Sequence, residues 1–93
     1  MTEQKHKWKI TDDIVAFYLY KCGTILEIKL AAKKLGIKAT SLKMRINNFA
    51  FLATNKGLSN FSNQTESVYN SWKDSSLTEL KAEYEKIISI INS

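Results

Sequence analysis

The sequence predicts an all-α fold, a single domain built as a bundle of about five helices that contains a helix-turn-helix. Its 93 residues suffice for one modest core. Proline is absent and glycine occurs three times, which favours helices with short connections. Apolar residues recur at helical spacing along most of the chain, whereas no segment alternates strongly enough to indicate a strand.

The first helix is predicted over residues 12–22. Thr11 has a side chain suited to an N-cap, and Asp12 and Asp13 follow it in the first turn, where the helix dipole favours negative charge. Gly23 belongs to the residue type that most often ends a helix. We therefore expect Thr11 to begin this helix and Gly23 to end it.

The second helix is predicted over about 25–35, between a capping box and a glycine. Thr24 and Glu27 have the spacing of a capping box, and Gly36 is suited to the turn that follows. Apolar and basic residues occupy opposite sides of this helix. The apolar stripe is Ile28, Ala31, Ala32 and Leu35, and the basic side is Lys29, Lys33 and Lys34.

The third helix is predicted to be capped by Thr40 or Ser41 and to end between Phe49 and Thr54. Its apolar residues are spaced so that they fall on one face. The predicted core stripe is Leu42, Ile46, Phe49 and Ala53, and Lys43, Asn47 and Asn48 point away from it.

The last two helices follow a polar connection. Ser62 is a suitable cap for a helix over about 63–73, and Ser76 with Glu79 forms a second capping box before a helix over about 77–91. The final helix either packs across the bundle or offers part of its stripe to a second copy or another protein. That stripe consists of Leu77, Leu80, Tyr84, Ile87, Ile88 and Ile91.

A helix-turn-helix is predicted over about 24–53. Ala32 supplies the small residue where two helices cross, Gly36 follows four positions later in the turn, and Leu42 follows after six more. These separations are those of the DNA-binding motif. Ile46 departs from the pattern, because it follows Leu42 by four positions where three is usual. Ordinary helical hairpins share parts of the pattern, so a packing role without a ligand stays open.

The charge of the chain is divided unevenly. Residues 1–60 carry eleven cations and four anions, a net charge of +7, whereas residues 61–93 carry three cations and five anions, a net charge of −2. Such polarity suits a polyanion bound by the first two-thirds of the chain. Lysine-rich surfaces are also common in small domains, so charge alone leaves the partner open.

The predicted partner is double-stranded DNA, contacted mainly by the third helix. Asparagine can pair with adenine, and lysine can reach guanine or phosphate. Arg45 could pair with an acid such as Glu27, but we expect it to bind phosphate. The amide ends of the second and third helices offer further phosphate contacts. The predicted DNA-binding residues are Lys33, Lys34, Lys38, Thr40, Ser41, Lys43, Arg45 and Asn47.

Met44 and Phe51 also fall on the outward side of the third helix, which is unexpected for a solvated face. Either the helix breaks near Asn48, or these two side chains meet later helices or a partner. We expect Phe51 in the core rather than as a wedge between bases. Contact with a thymine methyl group is one possibility that stays open for Met44.

No catalytic residue, metal or cofactor is predicted. One histidine, His6, and one cysteine, Cys22, give no metal-ligand spacing and no internal disulfide. Cys22 ends an apolar helix and is expected to be a buried small hydrophobe. Residues 1–7 are polar and expected to be flexible. The sequence has neither the pattern of a signal peptide nor an apolar run of roughly 20 residues, and we expect a cytoplasmic protein.

Several segments, in order, resemble the N-terminal region of bacterial HNH-type restriction endonucleases. They are Trp8–Asp13, Leu19–Tyr20, Leu35–Gly36, Ser41–Phe49 and Gly57–Asn60, followed by Ser62 and a helix with Tyr69 and Trp72. The resemblance implies a DNA-binding region, in a regulator or in the targeting part of a restriction or mobile-element system of a bacterium or phage. It does not extend to catalysis, because an HNH nuclease needs more than the one histidine present. A protein-interaction module is the main alternative, and a binder of RNA or single strands is the third.

Overall fold

The computed structural model describes residues 7–56 and 61–92, and within these ranges the fold is all-α, as predicted. No helix in the described part of the chain is both long enough and apolar enough to cross a membrane. The five helices are α1 (Ile10–Cys22), α2 (Ile25–Leu35), α3 (Ala39–Thr54), α4 (Asn63–Trp72) and α5 (Leu77–Asn92).

Helix α1 forms the centre of the bundle. Its residues from Asp12 to Leu19 are all buried, and it packs against each of the other four helices. Phe17 is fully buried, with its ring 5.2 Å from the ring of Phe49 on α3 and 5.8 Å from that of Tyr69 on α4. A helix that is apolar on nearly all sides is stable only when neighbours surround it, which explains this central position.

Three of the predicted caps are confirmed. The hydroxyl oxygen of Thr24 accepts a hydrogen bond from the Glu27 amide at 3.2 Å, and Ser62 does the same for Thr65 at 3.1 Å. At the start of α5 the capping box is reciprocal: the amide of Glu79 donates to the Ser76 hydroxyl and the amide of Ser76 donates to the Glu79 carboxylate.

Two predicted caps are wrong. Helix α1 begins at Ile10 rather than after Thr11. The Asp12 carboxylate, in the first turn, accepts a hydrogen bond from the Lys9 amide at 3.0 Å, so this amide at the helix start has a partner without a cap from Thr11. Helix α3 begins at Ala39, so Thr40 and Ser41 lie inside its first turn. The N-cap position belongs to Lys38, whose side chain makes no capping hydrogen bond.

The turn between α2 and α3 has the geometry of a Schellman motif. Gly36 adopts the left-handed conformation, with φ 73° and ψ 32°. Its amide donates to the carbonyl of Lys33 at 3.2 Å, and the amide of Ile37 donates to the carbonyl of Ala32 at 3.0 Å. These bonds satisfy carbonyls that the end of α2 would otherwise leave unpaired. The predicted glycine turn is therefore confirmed, and its left-handed backbone is the reason for glycine.

Most of the apolar stripe of α5 packs inside the chain. Leu80 and Ile87 are buried, and Tyr84, Ile88 and Ile91 pack against the core while partly exposed. The Tyr84 ring stacks on Tyr18 of α1, with centroids 4.1 Å apart. Leu77 is half exposed. The stripe is thus used largely for closing the bundle, and little of it is left for a partner.

The end of α1 differs from the prediction, because Cys22 is exposed rather than buried. It lies in the last turn, where the helix leaves the core. The pKa of Tyr18, one turn earlier, is raised above its ordinary value, because its hydroxyl donates a hydrogen bond to the Cys22 sulfur and is buried. Phe51, expected in the core, is instead half-buried outside the core cluster, where it packs beside Phe61 with ring centroids 5.9 Å apart.

Candidate nucleic-acid interface

Four neighbouring side chains form an outward face on the first half of α3. Thr40, Lys43, Met44 and Asn47 are all exposed, and Met44 keeps 58% of its accessible surface. Their spacing of three, four and seven positions places them on one side of a helix. We call these four residues the α3 strip. Lys43 and Asn47, predicted to lead the DNA-binding surface, are thus both solvent-accessible on a common face.

Basic residues flank the α3 strip. Lys33 and Lys34 are exposed in the last turn of α2, and Lys38 is exposed at the N-cap of α3. Helix α3 contains no acidic residue. Glu27 is the one acid between positions 24 and 54, and its carboxylate accepts a hydrogen bond from the Thr24 hydroxyl at the opposite end of α2. The exposed charged residues from the last turn of α2 through α3 are therefore all basic.

Arg45 does not lie on this face. Its Nε and Nη2 atoms donate hydrogen bonds to the two carboxylate oxygens of Asp13, at 2.6 and 2.8 Å. The side chain of Asp13 is fully buried and that of Arg45 is 14% exposed. A bidentate pair of this kind is strong and directional. The acidic partner is thus Asp13 rather than Glu27, and the pair occupies the guanidinium predicted to bind phosphate.

Further donors complete the shell around Asp13. Gln64 donates from Nε2 to Asp13 at 2.7 Å and to the Trp8 carbonyl at 2.9 Å, and the Thr65 hydroxyl donates to Asp13 at 3.2 Å. The Arg45 guanidinium lies 4.4 Å from the centre of the Trp8 ring. These five residues, which we call the Asp13 network, connect α1 to both α3 and α4. No buried side-chain polar atom in the described ranges lacks a partner.

The Asp13 network accompanies a buried face of α3 that is wider than predicted. Asn48, predicted to point outward, is buried at 7% exposure, and Ala53, predicted in the core stripe, is exposed. The other three residues of the predicted stripe still pack in the core, so the buried face extends beyond the stripe towards Asn48 and Arg45. The α3 strip lies on the opposite side of the helix.

No local pattern in the sequence indicates the Asp13 network. Asp13 and Arg45 are 32 positions apart, and Gln64 and Thr65 are more than 50 positions from Asp13. A helix start accounts fully for an acidic pair in the first turn, so Asp13 carried no sign of a distant partner. Ser41, another predicted DNA-binding residue, is half-buried beside the α3 strip.

Other predicted features lie elsewhere. His6 and the segment Gly57–Asn60, which belongs to the family resemblance, fall outside the described residues. Among the residues that the structure does describe, no group of three histidine, cysteine or acidic side chains could hold a metal ion. No protein-family model, curated protein or solved structure matches the chain. The resemblance to restriction endonucleases therefore stays a prediction from the residues.

Proposed function

We propose that this chain is a non-catalytic module that binds double-stranded DNA through the major groove, with α2, the Gly36 turn and α3 acting as a helix-turn-helix. The α3 strip carries the proposal, since it is an exposed, acid-free helix face flanked by lysines. The major groove of B-DNA, about 12 Å wide, admits an α-helix. A helix of 16 residues is about 24 Å long, enough to follow the groove over several base pairs.

Each residue of the proposed surface has a role that follows from its chemistry. Asn47 is suited to the N6 and N7 atoms of adenine, and Lys43 to guanine or phosphate. Thr40 lies in the first turn of α3, where backbone amides also favour a phosphate. The flanking lysines Lys33, Lys34 and Lys38 are suited to phosphate. Arg45 is left out, because Asp13 holds its guanidinium.

The biological setting follows from the family resemblance alone. It supports a regulator or the targeting part of a restriction or mobile-element system, acting in the cytoplasm of a bacterium or on behalf of a phage. Neither setting requires catalysis by this chain, because a separate nuclease domain or protein would cut the DNA.

The salt dependence of duplex binding tests the proposal. The proposal assigns four lysines (33, 34, 38 and 43) to phosphates, so the slope of log K against log salt should not be steeper than about −3.6. Affinity for a random duplex, measured by fluorescence anisotropy, should then fall by up to about 150-fold between 50 and 200 mM salt. Absence of duplex binding at the lower salt concentration would contradict the proposal.

A paired variant locates the surface. Replacing Lys43 and Asn47 together with alanine should weaken duplex binding by at least about tenfold, because both a base contact and a charge are lost. The matched control removes the same two residue types from α4 and α5, as N70A with K81A, both exposed. Circular dichroism should be unchanged in both variants. Equal affinities of the two variants would refute the placement on α3.

One observation favours a second candidate, a protein-interaction module. Leu26 and Leu30 lie one turn apart on α2 and are 72% and 57% exposed, on the side opposite Ala31 and Ala32. Contiguous exposed apolar residues can mark an interaction site. This candidate predicts self-association that is detectable by sedimentation and lost in the L26S/L30S variant, together with no duplex binding. The α5 stripe, in contrast, is mostly packed within the chain.

A further inference from the structure

We infer that Met44 and Asn47 together read two neighbouring A·T base pairs, with Met44 against the methyl group of a thymine and Asn47 on an adenine. The inference rests on the proposed function and adds a sequence preference to it. It starts from Met44, an exposed apolar residue on a helix face whose other members are polar.

Within residues 7–56 and 61–92, the structure removes the alternative explanations for Met44. Helix α3 runs without interruption from Ala39 to Thr54, so no break near Asn48 redirects the side chain. Phe51, the other apolar residue predicted to face outward, packs beside Phe61, whereas Met44 keeps 58% of its surface exposed. Met44 therefore serves the fold little, and its neighbours on the α3 strip are polar.

The spacing of Met44 and Asn47 suits adjacent base pairs. Residues three apart on a helix lie on one face and are displaced by about 4.5 Å along the axis. Successive base pairs rise by about 3.4 Å. Two side chains at this spacing, on a helix lying along the groove, consequently meet neighbouring pairs rather than the same pair.

The chemistry of the two side chains selects A·T pairs. In the major groove, thymine is the base that presents a methyl group, and adenine presents the donor and acceptor that match an asparagine amide. A cytosine in place of the thymine would set its amino donor against the thioether of Met44, which is a weak acceptor. Arginine is the side chain best suited to guanine, and Arg45 is turned towards Asp13.

The chemical change from thymine to uracil tests the inference, because it removes the methyl group and leaves base pairing intact. First, the natural chain, M44A and N47A are each used to select duplexes from a randomised pool. We expect the natural chain to enrich adjacent A·T pairs, M44A to lose the preference at one of them, and N47A to lose it at the other. Second, the duplex selected by the natural chain is made with uracil at the thymine assigned to Met44.

The natural chain should bind the uracil duplex about fourfold more weakly, the effect expected for burying one methyl group. M44A should bind both duplexes equally, and M44L should regain part of the difference, because leucine restores the apolar volume. Met44 is exposed, so all three proteins should share one thermal unfolding midpoint.

Three results would overturn the inference while leaving DNA binding intact. The selected pool could stay random, or the natural chain could bind the thymine and uracil duplexes equally. Third, the change from thymine to uracil could weaken binding by M44A as much as binding by the natural chain. The last would assign the methyl effect to DNA shape. Failure to retain any duplex at about 50 mM salt would overturn the proposed function and this inference together.

Discussion

Replacing Arg45 with methionine tests how strongly the Asp13 network stabilises the fold. The Asp13 carboxylate is fully buried and accepts four hydrogen bonds, two of them from Arg45. R45M keeps most of the apolar volume but leaves a buried negative charge with two neutral donors. Removing one partner of a buried ion pair costs about 3–5 kcal/mol. We expect about 3 kcal/mol here, because Arg45 itself retains some contact with solvent.

A loss of this size is large for so small a protein. A chain of this length is stabilised by about 5–14 kcal/mol in total. The loss should lower the thermal midpoint by about 12–24 °C. Urea denaturation followed by circular dichroism measures the free energy of unfolding directly. The matched control is K43M, which also replaces a basic residue with methionine, two positions earlier at an exposed site, and should change the free energy by less than about 0.5 kcal/mol.

A second substitution separates the cost of the charge from the cost of lost packing. If the uncompensated carboxylate causes the loss, adding D13N to R45M should restore about 1–2 kcal/mol, because a neutral amide is cheaper to bury and can still accept a hydrogen bond from Gln64 or Thr65. The reasoning is refuted if R45M costs less than about 1 kcal/mol, or if D13N destabilises R45M further.

Two further predictions concern the glycines and the tyrosines. An added Cβ at Gly23 would lie 2.7 Å from the carbonyl oxygen of Leu19, whereas at Gly36 it would meet open space but keep a φ of 73°. We therefore expect G36A to cost about 1–2 kcal/mol and G23A to cost more, as urea midpoints would show; the reverse order would contradict the packing argument. Burial raises the pKa of Tyr84 above its ordinary value, so the unfolded chain releases this proton first. The stabilisation that protonated Tyr84 contributes to the fold should be fully present below about pH 10. The free energy of unfolding should lose this contribution as the pH rises further. Y84F should show a shallower alkaline decline than the natural chain, and an identical decline would exclude this residue as a cause.

The helices could be predicted because their signals are local. Thr24, Ser62 and Ser76 each lie beside the amides they cap, so a few residues of sequence contain the whole interaction. The same holds for Gly36, whose left-handed turn is determined by its neighbours in the chain. The two errors at helix starts also have a local cause. The N-cap residues are Lys9 and Lys38, and lysine rarely caps a helix, so the prediction chose the nearby threonine or serine instead.

The candidate site could be predicted only in part, because its orientation depends on residues far apart in sequence. Lys43 and Asn47 were predicted from the periodicity of α3 and are exposed. Arg45 and Asn48 were assigned to the wrong surroundings, because both belong to a buried face that the spacing of Leu42, Ile46 and Phe49 does not reveal. Asp13, more than 30 positions earlier, supplies the partner of Arg45, and periodicity within one helix contains no information about it.

The Asp13 network also bears on how precisely the α3 strip is oriented. An apolar contact between α1 and α3 would tolerate small rotations of α3, because apolar packing is not directional. The paired bonds from Arg45 to Asp13 are directional, and the remaining lone pairs of the carboxylate are taken by α4. A rotation of one residue, about 100°, would break both bonds to Arg45 and exchange the residues of the α3 strip for others. A proposed reading surface of four side chains needs such a restraint, since contacts to base edges fail when the donor moves by an ångström or so. Arg45, predicted from sequence to bind phosphate, thus has a positioning role instead: its bonds to Asp13 orient the helix that carries Met44 and Asn47.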